Sequence, residues 1–148
     1  MAVHAVLEQL RGKLVVSCQA SEGDAFFGGD SMVRFARAAR DGGAVAIRAD
    51  GAEDVRAIRE GVGLPVIGIA KSVVSDGRIL ITGRFEEAQE LVAAGAAMVA
   101  LDMTARGQRF GALERLRRIK QDLACRCWRM WPLWRKALRR RKRARTRC

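Results

Sequence analysis

Four short runs of almost wholly apolar residues recur along the chain, and they restrict its fold more than any other feature. They are KLVVSC (13–18), AVAIRA (44–49), PVIGIA (65–70) and AMVALD (97–102). None alternates between apolar and polar residues, as a strand with one wet face does. Continuous apolar runs of this length are typical of strands in a parallel sheet whose two faces are both covered. The sequence therefore predicts four buried parallel strands.

Helical patterns fill the intervals between these runs. In residues 31–43 apolar side chains recur at i, i+3, i+4 and i+7, and Asp30 or Ser31 is the expected N-cap. Similar stripes in residues 51–63 and 84–96 predict two further helices. Strands that alternate with helices form either an open doubly wound sheet or a (β/α) barrel. Because no glycine-rich nucleotide-binding loop follows any strand, the barrel is the favoured fold.

A polar residue stands at or just after the end of each apolar run: Gln19, Arg48, Lys71 and Asp102. Barrel enzymes build their active sites from these carboxyl ends of the strands. Because strands commonly end on a polar residue, each of these four residues taken alone is better interpreted as a solvated loop residue. Together, with an arginine and a lysine among them, they favour an anion-binding pocket. The spacing by itself does not identify a substrate.

Five longer segments carry a more specific signal. In order, between about residues 8 and 123, they read GKLVVSCQA, GGAVAIRADGAEDVRAIRE, LPVIGIAK, RILITGRFEEAQELVAAGA and MVALDMTAR. This combination resembles the successive motifs of the N-acetylmannosamine-6-phosphate 2-epimerases, also described as N-acylglucosamine-6-phosphate 2-epimerases. The resemblance implies a (β/α)8 TIM barrel, of which the chain carries the first four βα units. It also implies an isomerase of amino-sugar and sialic acid catabolism that interconverts N-acetylmannosamine 6-phosphate and N-acetylglucosamine 6-phosphate.

The resemblance implies a role for each residue of the polar set. Lys71, directly after PVIGIA, matches the catalytic lysine of the family, and Arg48 and Gln19 match positions that hold the sugar. Asp102, in ALDMT, matches another carboxylate of the pocket. Carbon 2 of the open-chain sugar lies next to the aldehyde, so its proton can leave as an enolate forms and can return on the other face. Lys71 is the expected base for this step.

Other features of the sequence bear on location and cofactors. No run of eighteen apolar residues occurs, and the first residues lack the basic region and apolar stretch of a signal peptide, so we expect a cytoplasmic protein. Cys125, Cys127 and Cys148 lack the paired spacing of a zinc site, and Cys18 is expected to be a small buried residue. We therefore expect neither a metal nor a cofactor.

The segment 125–148 differs sharply from residues 1–124. It holds all three tryptophans and eleven of the 28 basic residues, and it has no acidic residue, so it carries nearly all of the net charge of +12. We interpret residues 1–124 as the first half of a TIM-barrel domain and residues 125–148 as a basic, disordered tail. Such a tail is expected to bind polyanions adventitiously through its charge.

A shift of reading frame would account for this tail. The residues Cys127 to Arg135, CWRMWPLWR, permit LADVATVE when they are read from the third base of the Cys127 codon. The fifth strand of the resembled family reads approximately LLMADVSTxEEG. The hypothesis is therefore a frameshift near residues 124–127, and it predicts an ADV-like strand in the alternative frame of the DNA.

Two other functions stay open at this point. The tail could be an evolved site for nucleic acid or for an anionic membrane surface, with the α/β body as its carrier. Another phosphate-binding barrel enzyme, such as an aldolase or a different isomerase, is the weaker alternative. Half a barrel also leaves an unpaired strand edge and an apolar face, so we expect the chain to associate, for example as a homo-oligomer.

Overall fold

The computed structural model describes residues 3–123 and the backbone of residues 127–130. It contains one parallel sheet, one antiparallel hairpin and six helices in these residues. The first half of the chain forms α1 (Val3–Leu10), β1 (Leu14–Cys18), α2 (Gly29–Asp41), β2 (Ala44–Asp50), α3 (Gly51–Val62) and β3 (Val66–Ile69). The second half forms β4 (Lys71–Val73), β5 (Ile79–Ile81), α4 (Phe85–Ala93), β6 (Met98–Asp102), α5 (Ala105–Arg109), α6 (Ala112–Asp122) and β7 (Cys127–Met130).

The parallel sheet has the order β1-β2-β3-β6-β7, and every neighbouring pair is parallel. Among the five strands of this sheet, neighbours in space therefore follow one another along the chain, and the strand order never reverses. A doubly wound sheet reverses its strand order at a switch point, so that alternative is excluded. The four predicted strands are confirmed as β1, β2, β3 and β6. They form because continuous apolar runs can be buried on both faces of a parallel sheet.

The two faces of the sheet pack against different partners. On one face, Ile47, Val99 and Leu101 join the large core formed with the helices. On the other face, Ile67, Ile69, Met98 and Ala100 form a smaller core with Val6 of α1. We call this second face the inner face. Because side chains alternate along a strand, a residue an even number of positions from Ile67 or Met98 belongs to it.

The predicted helices are found, although one of them begins earlier than expected. The prediction that Asp30 or Ser31 caps α2 is wrong: the helix begins at Gly29, and Gly28 is its N-cap with a φ of 114°. That positive φ suits glycine, which has no Cβ to clash. Asp30 instead lies in the first turn, where its charge favours the helix dipole. Cys18 is buried, as expected.

The sheet has one strand more than the four predicted. β7 pairs with β6 from Val99↔Cys127 to Asp102↔Met130, so it occupies part of the segment interpreted as a tail. Without β7, the edge of β6 would present unpaired backbone groups, and such groups can pair with any extended segment whatever its side chains. Residues 131–148 lie outside the described residues. In the part of the chain that the structure describes, no helix combines the length and apolar character needed to cross a membrane.

Candidate active site

The four polar residues predicted for the site lie in phase with the inner face. Arg48 pairs in register with Ser17 on one side and with Ile67 on the other, so the three side chains share that face. Lys71 is two residues beyond Ile69, and Asp102 is two residues beyond Ala100. Because the strands are parallel, all four residues stand at the same edge of the sheet. The structure therefore places the predicted set at one rim, with Arg48 on the inner face and Lys71 at the start of the separate hairpin that follows β3.

Hydrogen bonds through Ser17 join two of these residues directly. The Arg48 Nη1 atom donates to Ser17 Oγ at 3.1 Å, and the Gln19 Nε2 atom donates to the same oxygen. A guanidinium and an amide thus stand side by side on β1 and β2. Both groups can donate to hydroxyl, carbonyl or acetamide oxygens of a ligand. Ser17 was not singled out in the sequence, where it reads only as a polar residue inside an apolar run.

Arg48 also has unused hydrogen-bonding capacity. Its Nε atom is buried and has no hydrogen-bond partner among the described residues. Burial lowers the pKa of the Arg48 guanidinium, and the nearby Asp50 carboxylate opposes that shift. Buried polar atoms in native proteins are nearly always paired, so an unpaired one needs a reason. The Arg48 Nε atom can donate a hydrogen bond to an oxygen atom on the inner face.

Lys71 forms an ion pair that the sequence analysis missed. Its Nζ atom lies 3.0 Å from Asp50 Oδ2, and its backbone N–H donates to Asp50 Oδ1 at 3.1 Å. The side chains are 31% and 18% exposed, so the pair is partly shielded from water. The ion pair and the backbone hydrogen bond together hold Lys71 in one position. The sequence did contain a sign of this role: Asp50 stands two residues beyond Arg48 on the same strand, a spacing that places both side chains on the same face.

A cavity of about 400 Å³ opens beside Lys71, between the loop after β1 and the start of α3. Its lining includes Asp50 together with three further carboxylates, Glu22, Glu53 and Asp54. Burial raises the pKa of Asp54, and the charges of Glu53 and Asp50 raise it further. Carboxylates accept hydrogen bonds from hydroxyl groups and repel phosphate. This cavity therefore suits the hydroxyl-bearing part of a sugar better than an anionic group.

Asp102 performs a local structural task at the same rim. Its Oδ1 atom accepts a hydrogen bond from the Thr104 backbone N–H at 2.9 Å, and Thr104 in turn caps α5 by accepting from Gly107 N–H at 3.2 Å. Within the described residues, no hydrogen bond joins Asp102 to Gln19, Arg48 or Lys71. The structure thus brings Gln19 and Arg48 together, pairs Lys71 with Asp50, and leaves Asp102 separate on β6.

These features define a parallel-stranded α/β protein with a polar site at the carboxyl ends of its strands. Residues 32–130 match the model of the NanE family, described as "Putative N-acetylmannosamine-6-phosphate epimerase". The match covers more than half of the chain and includes β7. The chain belongs to this family, as the motifs of the sequence predicted.

Individual relatives agree with this assignment. The chain is 46% identical over 101 residues to the curated protein of the same description from Clostridioides difficile (strain 630), covering 68% of this chain and 45% of the relative. It is 43% identical over 103 residues to that of Listeria monocytogenes serotype 4b (strain F2365), covering 70% and 45%. The chain therefore spans about half the length of these curated relatives.

A solved structure is also similar. It is the N-acetylmannosamine-6-phosphate 2-epimerase from Clostridium perfringens, with a TM-score of 0.62 and 41% sequence identity. The similarity covers 66% of this chain and 42% of that chain. The fold described above is thus one that this relative shares over the matched region.

Proposed function

We propose that the rim of the inner face is the sugar site of an epimerase that interconverts N-acetylmannosamine 6-phosphate and N-acetylglucosamine 6-phosphate. One observation carries the proposal. In a chain of this family, Lys71 and its partner Asp50 line a cavity at the carboxyl edge of the sheet, and the donors Arg48 and Gln19, which both bond Ser17, stand at the same edge. These are the group types that a proton transfer next to a sugar carbonyl requires.

The proposed reaction moves one proton at carbon 2. Lys71, once its ion pair with Asp50 opens and its amine is neutral, takes the proton, and the electrons of the C–H bond form an enolate with the adjacent carbonyl. A proton that water delivers to the opposite face of carbon 2 restores the carbonyl and inverts the centre, and Lys71 releases the proton it took to the resulting hydroxide. Arg48 and Gln19 donate hydrogen bonds to sugar oxygens and hold carbon 2 within reach. No cofactor takes part in these steps.

The fold proposal follows the winding of the sheet. Strands that always add on the same side, with α2, α3, α4 and α6 packed on the outer face and an apolar inner face, suit a sheet that closes into a (β/α)8 barrel. We propose that residues 1–124 supply the first half of such a barrel. The cytoplasmic location, a homo-oligomer and adventitious polyanion binding by residues 125–148 stay predictions.

The interpretation of residues 131–148 also stays a proposal. These residues lie outside the described part of the chain, and the family match ends at residue 130. The frameshift hypothesis expects an ADV-like strand in the alternative frame near residues 127–131. A DNA sequence without such a strand in that frame would contradict it.

The experiment that tests the proposed function follows the carbon 2 proton by NMR in deuterated water. The purified chain, incubated with N-acetylmannosamine 6-phosphate, is expected to replace that proton with deuterium and to produce N-acetylglucosamine 6-phosphate. Unphosphorylated N-acetylmannosamine serves as the comparison substrate. Failure to accelerate exchange above the rate without protein would overturn the proposed activity of this chain.

Substitution of Arg48 tests its role in binding. Arg48→Ala is expected to weaken binding of N-acetylmannosamine 6-phosphate by roughly 1.5 to 3 kcal/mol, the contribution of a hydrogen bond from a charged group. Isothermal titration calorimetry measures the change, and Arg56→Ala, on the exposed side of α3, is the matched control. Equal affinity in wild type and Arg48→Ala would remove Arg48 from the site.

A further inference from the structure

The hairpin of β4 and β5 begins at Lys71 and forms a two-stranded sheet of its own. Its register runs from Lys71↔Ile81 to Val73↔Ile79, and Val73 is 71% exposed. An isolated two-stranded hairpin is marginally stable at best in water. The position of Lys71 therefore depends on whatever anchors this hairpin to the rest of the chain.

Thr82 anchors the base of the hairpin. It is fully buried, and its hydroxyl donates to the Ala100 carbonyl at 2.7 Å and accepts from the Ala70 N–H at 3.3 Å. The Thr82 backbone N–H also donates to the Ala70 carbonyl at 2.6 Å. Thr82 has a φ of 51°, a left-handed conformation that is uncommon for a β-branched residue. The hydrogen bonds to Ala70, directly after β3, and to Ala100 of β6 hold it there.

Arg106 anchors the other end of the hairpin. Its Nε and Nη2 atoms donate to the two carboxylate oxygens of Asp76 at 2.8 and 2.6 Å. The same guanidinium donates to the Ile79 carbonyl at 2.9 Å and to the Arg78 carbonyl at 3.1 Å. Its side chain is only 12% exposed. A planar guanidinium that grips a carboxylate with two parallel bonds fixes both distance and orientation.

The placement of Arg106 links two parts of the candidate site. It lies in α5, four residues after Asp102, whereas its partner Asp76 lies in the turn between β4 and β5, five residues after Lys71. We call the pair of hydrogen bonds between the Arg106 guanidinium and the Asp76 carboxylate the Asp76–Arg106 fork. This fork connects the hairpin that carries Lys71 to the segment that follows Asp102. None of its hydrogen bonds involves Lys71, Arg48 or Gln19, so the fork acts only through the hairpin.

We propose that Arg106 is a positioning residue for Lys71: by gripping Asp76 and the hairpin backbone it fixes the place of the Lys71 amine at the rim. This inference rests on the proposed function, because it assigns Lys71 the proton transfer. A base displaced by about 1 Å can lose on the order of 100-fold in rate. Loosening the fork is therefore expected to slow turnover while leaving sugar binding by Arg48 and Gln19 intact.

The fork also predicts a dependence of stability on pH. The hydrogen bonds that Arg106 donates to the Asp76 carboxylate lower the pKa of Asp76 from 3.8 to about 2. Because the folded pKa is the lower one, the fork stabilises the fold fully above about pH 4, and the contribution is lost as the pH falls through 2. The melting temperature of Asp76→Asn is therefore expected to lie below that of wild type at pH 6. The difference should shrink steadily between pH 4 and pH 2, and a constant difference would contradict the pKa of Asp76.

The decisive variant is Arg106→Lys, which keeps the charge and loses the two-pronged grip. Three quantities are measured: protection of the hairpin amides 72–81 from hydrogen exchange, labelling of the Lys71 amine by an amine-reactive reagent as a function of pH, and kcat and KM for carbon 2 exchange. The expected result is at least tenfold faster amide exchange, an altered labelling profile, and a 10- to 100-fold lower kcat at unchanged KM. Arg11→Lys, in the exposed pair with Glu8, is the matched control and should change none of them.

The outcomes separate this inference from the proposed function. Unchanged amide protection and Lys71 labelling in Arg106→Lys, or a raised KM at constant kcat, would overturn the positioning role. If wild type shows no carbon 2 exchange while amide protection and labelling change as expected, the positioning of Lys71 stands and the proposed function fails. Asp76→Asn is also expected to lower kcat, and Asp76→Glu, which keeps a carboxylate that can accept both guanidinium hydrogen bonds, is expected to recover part of that loss.

Discussion

Replacing Lys71 with alanine is expected to lower the rate of carbon 2 proton exchange by a factor of roughly 100 to 10,000, the usual contribution of a general acid–base group. Arg48 cannot take over the role, because a guanidinium keeps its proton at neutral pH and is a poor base. Binding of the sugar phosphate should persist, since the proposed site assigns it to Arg48 on β2 and to Gln19 just after β1. The loss is therefore expected in kcat rather than in KM.

The measurement is NMR detection of deuterium incorporation at carbon 2 by wild type and Lys71→Ala under identical conditions. Lys120→Ala, on the exposed side of α6, is the matched control and should exchange at the wild-type rate. A circular dichroism spectrum like that of wild type establishes that the variant is folded although Asp50 has lost its partner. Exchange by Lys71→Ala at the wild-type rate would mean that another group is the base.

Replacing Gly107 with alanine is expected to lower the free energy of unfolding by roughly 3 kcal/mol, a large value for the addition of one methyl group. A Cβ atom at Gly107 would overlap the Asp102 carbonyl oxygen and lie 2.8 Å from the Asp102 carbonyl carbon. Both are backbone atoms of a buried parallel strand, so they cannot rotate away as a side chain can. Helix α5 must therefore move away from β6, and Arg106 and the Asp76 fork move with it.

Urea denaturation of Gly107→Ala and wild type measures this change. Gly42→Ala is a suitable control, because Gly42 has a φ of −81° and its added Cβ would meet the nearest atom, the Ala38 carbonyl oxygen, at an ordinary 3.4 Å. That control is expected to stay within about 0.5 kcal/mol of wild type. Equal stability of Gly107→Ala and Gly42→Ala would contradict the close approach of α5 to Asp102.

The parallel strands were predictable because their burial leaves a direct trace in the sequence. An apolar run such as AVAIRA can bury all of its apolar side chains only where both faces of the sheet are covered. Its last residues then mark the carboxyl edge of the sheet. This reasoning also located Arg48 and Lys71 at one rim. The start of α2 was less predictable, since a positive φ at Gly28 depends on how the preceding loop approaches the helix.

The hairpin and its anchors could not be read from local patterns. The strands β4 and β5 have three residues each, too few for a periodic signal, and they lie in a segment that reads as a loop. The Asp76–Arg106 fork joins residues 30 positions apart, and Asp50 meets Lys71 across 21 positions. Neither pairing leaves a spacing that a single sequence reveals. The Asp50–Lys71 pair follows from the register of β2 and β3 and the turn after β3. The Asp76–Arg106 pair follows from the position of the hairpin turn beside α5.

The location of the sugar site is tested most directly by titrating the isotope-labelled chain with N-acetylmannosamine 6-phosphate and following its backbone amide signals by NMR. The predicted result is a set of saturable shifts that are largest at the carboxyl rim of the inner face, around Gln19, Arg48 and Lys71, with smaller changes elsewhere. Shifts confined to residues 131–148 would instead indicate charge-driven binding by the basic segment. Either that pattern or the absence of saturable shifts would contradict a sugar site at the rim.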